Sequence, residues 1–200
     1  MLKLEFDFKQ LEQQALKVGA AADQIPYALS LAMNKAADIT RQYLIKQTWP
    51  GHIHQRNASF IAASLTTRES RATKGSLAVE IYDKLDRGNL QLQAKGGTRT
   101  ARSGNLAIPS SNITRGSRGV PKRLRPRTLA GQLIEKKDLL LLPDKRKGKR
   151  GRLRLMYVLK KATRVPKRVP FYEDFAAVMN RELRRLIPDA VRHAMATRRR

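Results

Sequence analysis

The sequence predicts an α+β protein with helices at both ends and a small antiparallel sheet between them. Apolar residues recur at helical spacing near each end, and short alternating runs bounded by Gly and Pro fill the middle. At 200 residues and 41% hydrophobic, the chain is interpreted as a single domain. Its consecutive parts are N-terminal helices (1–50), strands (57–95), a long basic loop (96–130), a basic hairpin (138–160), and a C-terminal helix with a basic tail (169–200).

The clearest helix of the N-terminal part runs from Tyr27 to Gln47. Pro26 suits a first helical turn, and Trp49-Pro50-Gly51 is expected to stop the helix. A shorter amphipathic helix is expected from Phe8 to Val18, ending at Gly19. The apolar face of the longer helix, which indicates packing, is formed by Leu29, Ala32, Met33, Ala36, Tyr43 and Leu44.

Short runs with alternating or β-branched apolar positions indicate strands in the next part of the chain. They are Ser64 to Arg68, Leu77 to Tyr82 and Leu90 to Ala94. Farther along, Asp138 to Leu142 and Leu153 to Leu159 flank a turn-like segment rich in Lys, Arg and Gly. This pattern predicts a β-hairpin with a cationic tip.

The segment from Gly96 to Arg127 is rich in Gly, Ser, Thr, Pro and Arg and poor in large apolar residues. It is interpreted as a long exposed loop, and connections of this length are usually functional or disordered. Within it, Leu106 to Pro109 forms one apolar island that is suited to a brief return to the sheet.

The C-terminal helix is expected to begin at Val169-Pro170-Phe171. Pro188 lies inside the helical pattern, so a kink or a restart is expected there, with Asp189 in the new first turn. The tail from Arg198 to Arg200 is expected to fray. Residues proposed for the core or for an oligomer interface, from both long helices, are Leu29, Met33, Ala36, Tyr43, Phe171, Phe175, Met179, Leu183 and Leu186.

Charge is unevenly distributed along the chain. Lys and Arg total 42 against 16 Asp and Glu, a net charge of +26, and residues 95–168 hold 23 basic and three acidic side chains. Such clusters attract phosphates by counterion release without base contacts, and the scarcity of aromatics between 95 and 156 favours duplex DNA over single strands or RNA. A solvated surface or one facing acidic proteins is the alternative. The candidate contacts to DNA or an acidic partner are Arg115, Arg118, Lys122, Arg123, Arg125, Arg127, Lys145, Arg146, Lys147, Lys149, Arg150 and Arg152, with Arg154 beside them.

Chemistry-bearing motifs are weak, and no enzyme, metal site or cofactor is expected. The chain has no Cys, and His52 and His54 have no acidic residue within ten positions. The nearest carboxylate pairs, Glu80 with Asp83 and Glu135 with Asp138, suit a strand and a strand edge better than a divalent cation. The glycine pairs at 116 and 119 and at 148 and 151 lack the strand-to-helix context of a phosphate loop.

A membrane or export role is not indicated. The segment from Met1 to Phe8 carries acidic residues among its apolar ones, which is unlike a secretory signal. No stretch approaches the 18 or so apolar residues that span a bilayer. The protein is expected to be soluble.

Both ends of the chain carry a family resemblance. Ile25 to Ala37, a Pro followed by a small-residue helix containing Ala32-Met33-Asn34-Lys35-Ala36, resembles the N-terminal helix of the minor tail protein Z family of long-tailed double-stranded-DNA phages. Val169-Pro170-Phe171, leading through Leu186-Ile187-Pro188 to a basic tail, is similar to the C-terminus of that family. The resemblance is confined to these two parts of the chain.

The resemblance implies a tail-completion role at the head-proximal end of a phage tail, in a virion assembled in the host cytoplasm. It also implies a homo-oligomer, a six-fold ring built on heterologous interfaces, with tube, terminator and connector proteins as neighbours. The cationic loop and hairpin would then face double-stranded DNA in the channel, or acidic neighbouring proteins.

Two other functions remain open from sequence. One is a free, sequence-independent nucleic-acid-binding protein of the ribosomal or nucleoid type, which would act as a monomer or dimer. The other is a virion protein at the head-tail connector or at a tape-associated position.

Overall fold

A computed structural model describes residues 3–4, 22–86, 89–101, 104–144 and 151–198, with the backbone alone for 3, 4 and 22. The chain is α+β as predicted, with a long helix toward each end and small antiparallel sheets. The helix expected from Phe8 to Val18, the hairpin tip at 145–150, and Arg199 and Arg200 lie outside the described residues.

The elements are numbered in chain order. The strands are β1 (Lys3–Leu4), β2 (Leu65–Thr66), β3 (Ile81–Asp83), β4 (Gly97–Thr100), β5 (Leu106–Pro109), β6 (Ile134–Lys136), β7 (Leu139–Pro143), β8 (Leu153–Lys160) and β9 (Ala162–Val165). The α-helices are α1 (Ile25–Tyr43), α2 (Trp49–His52), α3 (Ser59–Ser64), α4 (Leu90–Lys95), α5 (Pro126–Leu129) and α6 (Phe171–Ala196). Short 3₁₀ turns span Ala22–Gln24, Lys122–Leu124 and Ala130–Gln132, and a π-helical turn spans Leu44–Thr48.

The residues group into two compact units. The sequence alone is interpreted as a single domain. The helical unit comprises Met1–His54, Ala58–Lys95 and Lys167–Arg200. The sheet unit comprises Gln55–Asn57 and Gly96–Pro166. Each has its own hydrophobic cluster.

Helix α1 begins close to the predicted position, with Pro26 in its first turn. The expectation that Trp49-Pro50-Gly51 ends the helix is wrong. The chain continues through the π-helical turn into α2, and the Trp49 N–H bonds to the Leu44 carbonyl five residues back. Pro50 has no N–H to donate and crowds the preceding turn of an α-helix, and a wider turn before it relieves that conflict.

Helix α6 is a single helix from Phe171 to Ala196, so it does not restart at Pro188. It packs antiparallel against α1 and the π-helical turn that follows it. The Thr40 hydroxyl donates to Met179 Sδ at 3.7 Å, and the Thr48 hydroxyl donates to the Asp174 carboxylate at 2.6 Å. At the far end of the pair, the rings of Tyr27 and His193 are 6.5 Å apart.

Residues proposed for a core or an interface lie largely inside the helical unit. Eight of the nine are at most 4% exposed and belong to its hydrophobic cluster, namely Leu29, Met33, Ala36, Phe171, Phe175, Met179, Leu183 and Leu186. Tyr43 is half-buried. Because burial in the single chain removes these eight side chains from solvent, they pack as core.

The small sheet of the helical unit differs from the predicted strands. It has the order β1-β3-β2, and β2 and β3 are shorter than the predicted runs. The strand predicted from Leu90 to Ala94 is wrong, because this segment is helix α4 and buries Leu90 and Ala94 one turn apart. Helix α3 falls where only strands were expected, and Arg41 donates to the Ala62 and Leu65 carbonyls at its end.

Asn34, within the segment that carries the N-terminal resemblance, holds the backbone of Ala72. Its Nδ2 donates to the Ala72 carbonyl, and its Oδ1 accepts from the Ala72 N–H, both at 2.9 Å. One amide therefore satisfies both backbone groups of a buried residue 38 positions away.

Replacing Asn34 with Ala is expected to destabilise the helical unit by about 2–4 kcal/mol, since both Ala72 backbone groups lose their partner. Thermal unfolding followed by circular dichroism measures the effect. Gln42→Ala, at an exposed position of the same helix, is the control and should be nearly neutral. Equal stability of the two variants would contradict this role for Asn34.

The sheet unit contains a four-stranded antiparallel sheet of order β5-β8-β7-β6 and a separate pair, β4 with β9. The predicted hairpin is confirmed as β7 and β8, and the apolar island Leu106–Pro109 joins the sheet as β5. A bulge at Met156 shifts the register between Leu140 and Leu141.

Candidate polyanion-binding surface

The segment that was interpreted as a long loop is mostly fixed on one face of the four-stranded sheet. Gly96 to Arg127 contains β4, β5 and a 3₁₀ turn, and α5 starts at Pro126. Residues 110–133, called the covering segment below, supply apolar side chains that pack with Met156, Tyr157, Leu140 and Leu142 of the sheet. The contributors from the covering segment are Ile113, Val120, Leu124, Leu129 and Leu133.

Hydrogen bonds attach the first turn of the covering segment to β8. The Ser110 hydroxyl donates to the Leu155 carbonyl at 2.6 Å, and Asn112 Nδ2 donates to the same carbonyl at 2.9 Å. A second turn follows, in which Gly116 and Gly119 exchange both backbone hydrogen bonds at 2.9 Å. Gly119 has a φ of +83°, a conformation that favours Gly.

Tyr157 anchors the middle of the covering segment. Its side chain is 1% exposed, and its hydroxyl donates to the Leu124 carbonyl at 2.5 Å. Burial raises the pKa of this phenol, while the positive charges of Arg115 and Arg125 oppose the rise. Two of the predicted contact residues therefore lie close to one buried tyrosine.

The Tyr157→Phe variant is expected to lose about 1–2 kcal/mol of stability, because the Leu124 carbonyl loses its donor while the ring packing is kept. Hydrogen exchange of residues 121–129 should accelerate. Tyr172→Phe is the matched control in the helical unit, where no hydroxyl hydrogen bond links that half-buried ring to another described residue. Unchanged exchange in Tyr157→Phe would show that the Tyr157 hydroxyl does not hold residues 121–129 in place.

The predicted cationic residues of the covering segment are all exposed, and within the described ranges none of them forms an ion pair with a carboxylate. They are Arg115, Arg118, Lys122, Arg123, Arg125 and Arg127, and this set is called the basic surface below. Arg115 donates to the Pro109 carbonyl at 3.2 Å, and Arg125 Nε donates to the Val120 carbonyl at 3.3 Å. Arg118 lies in the tight turn between Gly116 and Gly119.

The hairpin contributes less to the described structure. Arg152 is exposed and Arg154 is half-buried, next to the tip. The predicted contacts in the tip itself, Lys145, Arg146, Lys147, Lys149 and Arg150, lie outside the described residues.

Further exposed cations were not singled out from the sequence. In the sheet unit, Arg99 and Arg164 lie on β4 and β9. On α6, Arg181, Arg184 and Arg185 line a shallow recess together with Ala177 and Asn180. Arg185 and Arg181 both bond to buried Glu182, and they hold its pKa below the usual value, with the Arg185 hydrogen bond as the larger cause. Helical spacing alone would have grouped these three arginines.

Two members of the weak chemical motifs, Asp83 and His52, make contacts within the fold. Asp83 is buried, and its Oδ1 accepts the N–H groups of Leu85 and Asp86 at 3.1 Å, so it stabilises a turn. The His52 Nδ1 lies 2.8 Å from the Thr48 carbonyl. Over the described ranges, no three His, Asp or Glu side chains are placed to share a metal ion. No helix in the described part of the chain has the length and apolar character needed to cross a membrane.

Comparison with known proteins finds no matching family model, no matching curated protein and no matching solved structure.

Proposed function

We propose that this chain is a non-enzymatic structural protein of a phage virion that completes the head-proximal end of the tail. In this role it assembles as a ring, and its basic surface faces double-stranded DNA or acidic neighbouring proteins. The basic surface is the observation that supports the proposed contact with DNA or acidic proteins. Six exposed cations, without carboxylate partners in the described residues, lie on a segment hydrogen-bonded to a sheet.

Counterion release supplies the physical reason for contact with a polyanion. Each phosphate neutralised by Lys or Arg releases condensed counterions, and this gain does not depend on base sequence. Because the covering segment is already fixed on the sheet before binding, it loses less conformational entropy when it binds. The arrangement therefore favours backbone contact along a duplex, or contact with a row of carboxylates, over recognition of individual bases.

The tail assignment draws support from where the two family-like segments lie. Residues from Ile25 to Ala37 belong to α1, and Phe171 and Leu186 belong to α6, and these two helices form one antiparallel pair. Segments that are far apart in sequence thus contribute to a single structural unit. A shared origin of the pair with the minor tail protein Z family is consistent with this packing.

Complementation tests the proposed function. Purified protein is added to phage tails that were assembled without it, and head joining is scored by electron microscopy and by the yield of infectious particles. Joining is expected with the wild-type chain and not with buffer or with lysozyme as a basic control protein. Tails that join heads equally well in all three mixtures would reject the proposal.

A further inference from the structure

The four-stranded sheet has a second face that lies opposite the hydrophobic cluster of its own unit. Register places Leu139 opposite Val158 and Leu141 opposite Leu155, with Ile108 and Ile134 continuing these rows onto β5 and β6. These six aliphatic side chains are called the open sheet face. They point away from Tyr157 and Leu140, which pack with the covering segment.

Two aliphatic side chains on this side of the sheet are strongly exposed. Ile134 is 45% exposed, and Leu153, two residues before Leu155 on the same side of β8, is 48% exposed. The other five residues of the open sheet face are half-buried, and none of the six is among the described members of either cluster. Contiguous apolar patches on a protein surface mark interaction sites.

Cations border this apolar patch. Register pairs Lys136 with Leu139 and Lys160 with Leu106, so both lysines lie on the side of the open sheet face, and both are exposed. Glu135 pairs with Leu140 and therefore lies on the opposite side. Among the described residues, both lysines lie at one end of the aliphatic patch, with Asp138 in the adjoining turn.

We propose that the open sheet face is a docking site for a protein partner that presents an apolar patch bordered by carboxylates. Charge complementarity selects this partner. A second copy docked through the same face would bring its own Lys136 and Lys160 against the same positive border. Nucleic acid is disfavoured because the aliphatic centre offers neither donors for phosphates nor rings for stacking.

The docking site is separate from the basic surface, which lies on the covering segment on the other side of the sheet. The inference therefore does not depend on the proposed function. Apolar contact with a protein would take place on the open sheet face, and contact with phosphates or carboxylates on the side of the covering segment.

A pair of synthetic helical peptides tests the docking site. Both carry a leucine stripe, flanked by Glu in one and by Lys in the other, and binding to the full chain is measured by fluorescence anisotropy. The Glu-flanked peptide is expected to bind at least about tenfold more tightly. Ile134→Gln with Leu153→Gln should weaken that binding at least about tenfold, while duplex DNA affinity stays unchanged. Both positions are about half exposed, and an unchanged melting temperature checks the fold.

A charge-reversal variant provides a second test of the docking site. Lys136→Glu with Lys160→Glu should exchange the preference, so that the Lys-flanked peptide binds better. Equal binding of the two peptides to the wild-type chain, or unchanged binding by the Gln variant, would overturn the proposal. Two further results would also overturn the proposal. Concentration-dependent self-association that the Gln variant abolishes would identify a second copy as the occupant. Loss of DNA affinity in the Gln variant would identify nucleic acid as the occupant.

Discussion

Neutralising Arg118, Lys122, Arg123 and Arg127 together with Gln is expected to lower duplex DNA affinity by about two orders of magnitude at 50 mM salt. The slope of log affinity against log salt should become shallower by about 3 to 4, because each lost phosphate contact removes about 0.9. These four side chains are exposed and make no hydrogen bond or ion pair with another described residue, so folding should be unaffected. Fluorescence anisotropy at several salt concentrations measures both quantities.

A control with the same change in net charge separates local contact from overall charge. Lys46, Arg68, Lys84 and Arg184 are exposed cations of the helical unit, and none of them forms an ion pair with a described carboxylate. Their replacement by Gln should reduce affinity only through weaker long-range attraction, which salt screens. If both quadruple variants lose affinity and slope to the same extent, the basic surface is not the contact.

The Leu183→Asp variant is expected to abolish folding of the helical unit. Leu183 of α6 is fully buried in the hydrophobic cluster of the helical unit, and an unpaired carboxylate there costs several kcal/mol in addition to the lost packing. That cost is comparable to the whole stability of a typical domain, about 5–15 kcal/mol. Circular dichroism and hydrogen exchange report the loss of the helix pair.

Ala177→Asp, on the exposed side of the same helix, is the matched control and should melt within a few degrees of the wild-type chain. A soluble Leu183→Asp protein with an unchanged melting temperature would show that α6 does not form the core described above.

The long amphipathic helices and the hairpin could be predicted because their patterns extend over many residues. The apolar stripe of α6 continues for seven turns, and β7 and β8 flank an evident turn segment. The strand predicted from Leu90 to Ala94 is wrong because so short a run fits both the helical and the strand period. In the structure, Leu90 and Ala94 are buried on one side of a helical turn. The sequence predicts a stop at Pro50 because the widened turn before it has no sequence signal of its own.

The candidate site could be predicted only in part. Charge density identified the cations of the basic surface, since composition records it directly. That the covering segment is fixed on the sheet could not be predicted. Its position depends on hydrogen bonds such as those from Tyr157 to Leu124 and from Ser110 to Leu155, which join residues 33 and 45 positions apart. The open sheet face depends on register, which the bulge at Met156 shifts.

Assembly into the tail can be tested by measuring the mass of the protein and of its complexes. Sedimentation or native mass spectrometry at near-physiological salt is applied to the purified protein alone and then mixed with tails that lack it. A ring is expected, or stoichiometric capture at one end of the tail. A monomer that ignores tails but binds nucleic acid tightly would contradict assembly into the tail and identify a free nucleic-acid-binding protein instead.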